Sequence, residues 1–117
     1  MKAMKIQKGT RVELSSNELL FLAHSGQPYR GSVFVAFESV GESFDMLDFK
    51  RYLTSLRSLT LNAEDIAFEI HSRINASIQT KELGVTVELS ARGGITQRLS
   101  YGAAFEVRKR ANIFQVG

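Results

Sequence analysis

The chain contains no cysteine, one proline and two histidines in 117 residues. Without cysteine there is no disulfide, no thiolate metal ligand and no thiol nucleophile, so three kinds of chemistry drop out together. No apolar run approaches the roughly 20 residues that a membrane-spanning helix needs. Lys2, Lys5, Lys8 and Arg11 interrupt the start, where a signal peptide would be apolar. A soluble cytoplasmic protein without membrane contact is the expectation. The excess of charge of one sign is also small. The net charge is +3, with much of the excess in Lys2, Lys5, Lys8 and in Arg108, Lys109 and Arg110. Solvated ends explain it, as does a weak attraction for an anionic ligand or nucleic acid. No aromatic-studded basic strand, Ser/His/Asp arrangement or glycine-rich phosphate loop stands out, and a nucleic-acid partner is not expected.

What is present reads as an ordinary globular chain, 44% hydrophobic and 23% charged, of a size for one domain over 1–117. Gly41 to Ile78 carries two consecutive amphipathic helices. In the first, Asp45 to Arg57, Met46, Phe49, Leu53 and Leu56 recur at steps of three and four, flanked by Leu47 and Tyr52, and predict one buried stripe. Ser43 or Asp45 can cap its start. The second begins at Asn62, with Glu64 and Asp65 in its first turn, where free N–H groups favour negative charge. Its apolar face is Ile66, Ala67, Phe68, Ile70, Ile74 and Ile78. The short link Ser58 to Leu61 favours an antiparallel pair.

Around the helices the pattern is that of strands. Met4 to Leu14 reads as one strand bulged at Gly9. Ser15 to Leu20 is ambiguous, and His24 to Gly31, with the only proline and two glycines, reads as a loop. Ser32 to Phe37 is β-branched and aromatic on both faces. After a connector, Ser77 to Leu83, the residues Val85, Val87 and Leu89 alternate with polar neighbours. Leu99, Tyr101, Ala103, Phe105 and Val107 then predict a second long strand, joined to the first through Arg92-Gly93-Gly94 as a hairpin. That turn could equally hold a phosphate on its N–H groups. The tail 111–117 is apolar enough to dock on a neighbour. The class is therefore α+β, in the order ββααββ: a four-stranded antiparallel sheet with two antiparallel helices on one face. Open edges and a half-apolar second face, with Phe34, Ala36, Gly102 and Ala104, predict a homo-oligomer.

Four stretches in this order resemble a known family. Gly26-Gln27-Pro28 before a strand, Lys50-x-Tyr52-Leu53-x-Ser55-x-Arg57, Glu64 opening the second helix, and Arg92-Gly93-Gly94-Ile95 are similar to the 7-cyano-7-deazaguanine reductase (QueF) family of the tunnelling-fold superfamily. The similarity covers roughly residues 20 to 96. GTP cyclohydrolase I is also similar, its Cys-Glu-His-His loop aligning with Leu22-Ala23-His24-Ser25, and its Pro-Phe-x-Gly with Pro28-Tyr29-Arg30-Gly31. The resemblance implies a tunnelling fold closed into a cyclic oligomeric barrel, the setting of queuosine biosynthesis, and a purine- or pterin-like ring held between subunits. Glu64 stands where the family anchors the ring, and Gln27, Arg92 and His24 are further candidates for the pocket. A carboxylate suits that task because it accepts two parallel hydrogen bonds from the N–H and amino edge of a guanine-type ring. A helix-opening acid favoured by the dipole is the plain alternative for Glu64.

The departures from the family are as informative. Leu22 stands where the reductases place their nucleophilic cysteine, and Tyr29 where an acid follows the proline, so nitrile reduction through a covalent thioimide is not expected. The family's motif for its nicotinamide cofactor, NADPH, is reduced to Asp45 and Lys50, with Asp48 adding negative charge. The cyclohydrolase zinc positions hold Leu22 and Ser25; His24, His71 and Glu88 show no ligand spacing, and no zinc is expected. Three readings stay open: a heterocycle-binding protein, an enzyme using His24 as acid or base on a purine or pterin, and a non-catalytic subunit pairing with a second tunnelling-fold chain. His71 reads as structural or exposed.

Overall fold

The computed structural model describes residues 1–90 and 93–107; Arg92 and the tail 111–117 lie outside them. The chain order is β1 (Ala3–Lys5), β2 (Arg11–Leu22), β3 (Pro28–Ser39), β4 (Glu42–Phe44), α1 (Met46–Ser55), two single 3-10 turns (Leu56–Ser58 and Ala63–Asp65), α2 (Ile66–Ser77), β5 (Thr80–Ser90) and β6 (Thr96–Gly102). The four long strands form one antiparallel sheet in the order β2-β3-β5-β6. β1 and β4 form a separate two-stranded antiparallel ribbon.

That ribbon replaces the single bulged strand expected from Met4 to Leu14. Gly9 adopts φ +88° in a turn rather than a bulge, and its N–H donates to Ser39 O at 2.8 Å. The ambiguous stretch Ser15 to Leu20 is strand throughout, and its ambiguity has a physical cause. Ser16 pairs with Val33 but Leu19 pairs with Gly31, so one extra residue is inserted in β2. A one-residue insertion flips the side-chain alternation. The side chains turned toward the helices are therefore Val12, Leu14 and Ser16 before it, and Leu19 and Phe21 after it. β5 carries a similar irregularity. Ala36 pairs with Gly84 and Glu38 with Lys81, leaving Glu82 and Leu83 opposite Phe37, and Glu82 takes φ +55°. The strand therefore starts at Thr80, within the predicted connector.

The helices cover one face of the sheet. Phe49 and Leu53 of α1, Leu56 of the first 3-10 turn, and Ile66, Ala67, Ile70 and Ile74 of α2 are buried against Phe21, Val33, Val35, Phe37, Val85, Val87 and Leu89. Phe44 links ribbon, sheet and helix, its ring centroid 6.1 Å from Phe37 and 5.3 Å from Phe49. Burying one such side chain contributes roughly 2 kcal/mol, against a few tenths to about 1 kcal/mol for a first-turn acid. Neither helix start is capped by a side-chain hydrogen bond, so packing fixes the helices. Two residues expected in the stripes face outward instead: Met46 is 57% exposed and Phe68 50%.

β6 ends earlier than its alternation predicts. Gly102 takes φ +90°, which side chains resist, and the chain leaves the strand there. Ala103 N–H donates to Leu83 O at 2.9 Å, and the Phe105 ring comes over Gly84. On this second face Phe34, Ala36 and Thr86 are buried, and Thr86 and Ser100 share a hydroxyl–hydroxyl hydrogen bond at 2.9 Å.

Glu82 offers a direct check on the β5 bulge. A non-glycine residue in the left-handed region costs about 1 kcal/mol, while glycine adds an entropic cost of about 0.5 kcal/mol. Glu82 is exposed, so Glu82→Gly sacrifices little packing. Its expected effect is a melting temperature raised by about 2–3 °C, read by circular dichroism; a lowered value would contradict the bulge conformation.

Candidate functional site

The residues singled out by the resemblance are carried by two connections that the fold ties together. β2 passes into β3 through the turn 23–27, closed by Ala23 N–H to Gln27 O and Gly26 N–H to Ala23 O, both 2.9 Å. Gly26 at φ +86° makes that turn possible. The segment between the helices runs beside it. Leu22 N–H donates to Leu59 O at 3.1 Å and Leu61 N–H to Leu22 O at 2.9 Å, an isolated parallel bridge centred on Thr60. Leu22 is thus held through both its N–H and its carbonyl. The turn bearing His24 and Gln27 and the 3-10 turn bearing Glu64 are brought to one end of the molecule.

Within that end the candidates differ. His24 is exposed and Gln27 half-buried, with the Gln27 N–H donating to Ser25 Oγ at 3.4 Å. Glu64 is exposed. Its neighbour Asp65 accepts a hydrogen bond from Asn62 Nδ2 at 3.4 Å, whereas among the described residues no hydrogen bond or ion pair engages the Glu64 carboxylate. Of the two acids opening this helical segment, Asp65 is held locally and Glu64 faces solvent. Arg92 is outside the described residues.

Lys50 lies elsewhere. α1 starts at the ribbon, where Asp45 N–H donates to Lys2 O at 3.4 Å and Lys2 N–H to Asp48 Oδ2 at 2.8 Å. Lys50 is exposed mid-helix, and among the described residues no contact joins it to Glu64, Gln27 or His24. The rest of the Lys50-to-Arg57 motif is structural. Tyr52 and Leu53 are buried, Ser55 Oγ donates to Tyr52 O, and Tyr52 OH donates to Glu69 O at 3.5 Å, joining α1 to α2. Burial, then the nearby Glu69 charge, pushes the Tyr52 phenol above its ordinary range.

Sequence reasoning missed two surface hollows. One, of about 350 Å³, is lined by Lys2, Asp48, Arg51, Tyr52, Ser55 and Arg73; the other, of about 270 Å³, lies at the β2 bulge between Glu18, Arg30 and Arg57. Glu64 lines neither. It also missed an aromatic row on α2. Phe68 and His71 each meet Tyr101 of β6 edge-on at 4.9 Å, and His71 Nε2 lies 3.2 Å from Leu83 O. The spacing of Phe68 and His71 is the signal that could have found it, since residues three apart share a helix face. His71 is structural in this row, one of the two roles its sequence context allows.

No protein-family model matches the sequence, and no curated protein matches it. Among solved structures, the archaeosine synthase QueF-Like in its apo form matches at a TM-score of 0.67, over 85% of this chain and 96% of that one, at 18% sequence identity. The chain has a QueF-like tunnelling fold. At that identity the likeness is one of fold. The four long strands and two helices expected from the sequence are present, with the ribbon of β1 and β4 added to them. Among the described residues no helix is long and apolar enough to cross a membrane.

Proposed function

We propose that this chain is a QueF-like binding module for a guanine-, 7-deazaguanine- or pterin-like heterocycle, held by Glu64 at a boundary between subunits. The observation that carries the reading is the Glu64 carboxylate: exposed, without a hydrogen bond or ion pair among the described residues, and tied through the Leu22–Leu61 pairing to the turn bearing His24 and Gln27. Among the described residues no donor occupies its two oxygens, which suits the paired donors of a guanine-type edge. Gln27, with His24 beside it, supplies the adjoining amide and imidazole, and Arg92 is assigned to the same pocket by its motif.

Thioimide chemistry is no part of the proposal. Leu22 has no nucleophilic atom and its backbone is held in place. The residues of α1 do not fit a nicotinamide cofactor either, because Asp48 is committed to Lys2 and lies 3.7 Å from Arg51, leaving Lys50 as the sole survivor of the phosphate-binding lysines. The reading is that of a binder.

A boundary between subunits requires an assembly. Among the described residues β2 and β6 each have one unpaired edge in the sheet order, and strand edges left open in this way invite pairing with another copy. A closed ring is the expected state, with native mass spectrometry giving a single homo-oligomeric mass; a monomer at micromolar concentration would remove the boundary and the proposal with it. Calorimetric titration with guanine, 7-deazaguanine and pterin tests the ligand. At least one is expected to bind the wild type and to be lost in Glu64→Ala, whereas binding to none, or equal binding to both proteins, would refute the proposal.

A further inference from the structure

Glu64 can satisfy the polar edge of a ring but not its faces. A flat heterocycle leaves water only if something apolar and planar covers it, and base–aromatic stacking is the usual means. The site must therefore contain an aromatic surface within a ring's width of the carboxylate. Phe68 follows Glu64 by four residues, across the junction of the 3-10 turn Ala63–Asp65 with α2, and both side chains are exposed. Its ring is half exposed, at a position where the apolar periodicity predicts burial.

The Phe68 ring is also fixed. It stands edge-on to Tyr101, with centroids 4.9 Å apart and planes at 79°. Tyr101, itself 44% exposed, also meets His71 edge-on at 4.9 Å and 76°. His71 is placed in turn by Leu83 O and by the close approach of Gly102, where a Cβ would lie 2.7 Å from Nε2. Phe68 is thus in contact with a neighbour that has a second ring contact of its own, while half of its surface still faces solvent. A side chain placed by such contacts before the ligand arrives costs less ordering entropy on binding than a free one.

We infer that Phe68, oriented by Tyr101, is the stacking surface for the ring whose edge Glu64 holds. The inference rests on the reading of Glu64 given above. It explains why a large aromatic side chain is turned out of the core on α2, and it makes Phe68 a ligand-contacting residue and Tyr101 a positioning residue.

The test takes the tightest-binding of guanine, 7-deazaguanine and pterin. Phe68→Ala and Phe68→Leu are expected to weaken binding about ten- to a hundred-fold, and Phe68→Tyr to stay near wild type, because stacking needs the π-face and not apolar area alone. The chain has no tryptophan, so Phe68→Trp introduces a single indole, whose emission is expected to be quenched on titration. In a Phe68→Trp variant that also carries Glu64→Ala the quenching should be absent. Unchanged affinity in Phe68→Ala and Phe68→Leu, with loss in Glu64→Ala, overturns this inference and leaves the reading of Glu64 standing. Absence of binding to the wild type overturns both. A loss of affinity in Phe68→Ala that accompanies dissociation of the oligomer in native mass spectrometry also overturns it, since Phe68 would then be packing between copies.

Discussion

Gly31→Ala is expected to lower the melting temperature by more than about 10 °C, although it adds a single methyl group at a residue in regular strand. A Cβ there would lie 1.9 Å from Glu88 O, 2.9 Å from Glu88 C and 3.0 Å from Leu89 Cα. All three are backbone atoms of β5, which cannot rotate aside as a side chain would. To accept the methyl, β3 and β5 must separate, and these are the two central strands of the sheet. Overpacking costs typically 1–3 kcal/mol, and each ladder hydrogen bond lost adds about 1 kcal/mol. A total above about 3 kcal/mol is a large share of a stability of roughly 5–15 kcal/mol, and at several degrees per kcal/mol it gives the shift stated. Gly26→Ala is the control. Gly26 sits at φ +86°, and a methyl group there would find nothing within 4 Å, so the change incurs backbone strain alone, about 1 kcal/mol. If Gly31→Ala melts within 2–3 °C of the wild type, β3 and β5 do not approach as described.

The same glycine shows where the sequence is legible and where it is not. Helix periodicity, the alternation of Val85, Val87 and Leu89, and the strand from Ser32 to Phe37 are local signals, and the structure has the corresponding elements in those places. Gly31 and Pro28 read as loop because both are turn residues by local statistics. In the sheet Pro28 opens β3, where a missing N–H is tolerated, and Gly31 marks a close approach of another strand. Neither role can be told from a turn without knowing what lies across. The β2 bulge at 17–18 hides a strand by switching alternation from even to odd positions, and Gly102 ends one whose alternation runs on through Ala103, Phe105 and Val107. The site divides in the same way. Glu64 and Gln27 can be picked out through motif resemblance, but the pairing of Leu22 with Leu59 and Leu61 that brings them to one end is tertiary. Phe68 has the spacing of the apolar stripe and so reads as core; only the position of Tyr101 shows that it faces out.

Replacing Glu64 should have the largest effect on ligand affinity of any single change, and the choice of replacement decides what the effect means. Hydrogen bonds to a charged group contribute about 1.5–3 kcal/mol each. Two such bonds to a guanine-type edge amount to roughly 3–6 kcal/mol, or a hundredfold or more in affinity. Glu64→Ala should therefore abolish measurable binding, and Glu64→Gln should come close to doing so. The amide keeps one acceptor but turns the second into an NH2 donor, which meets another donor on the ring. Glu64→Asp retains the charge with a shorter reach and should recover part of the affinity. Since Glu64 is exposed and has no hydrogen bond or ion pair among the described residues, all three variants should keep the wild-type melting temperature to within about 2 °C in the absence of ligand. That combination separates a ligand anchor from a helix-opening acid. An acid acting only on the dipole would lose up to about 1 kcal/mol of stability in both Glu64→Ala and Glu64→Gln, with no difference in affinity among the three variants. Calorimetry and thermal unfolding on the same samples read the two quantities side by side, and equal affinities in wild type and Glu64→Gln would show that the carboxylate does not hold the ring.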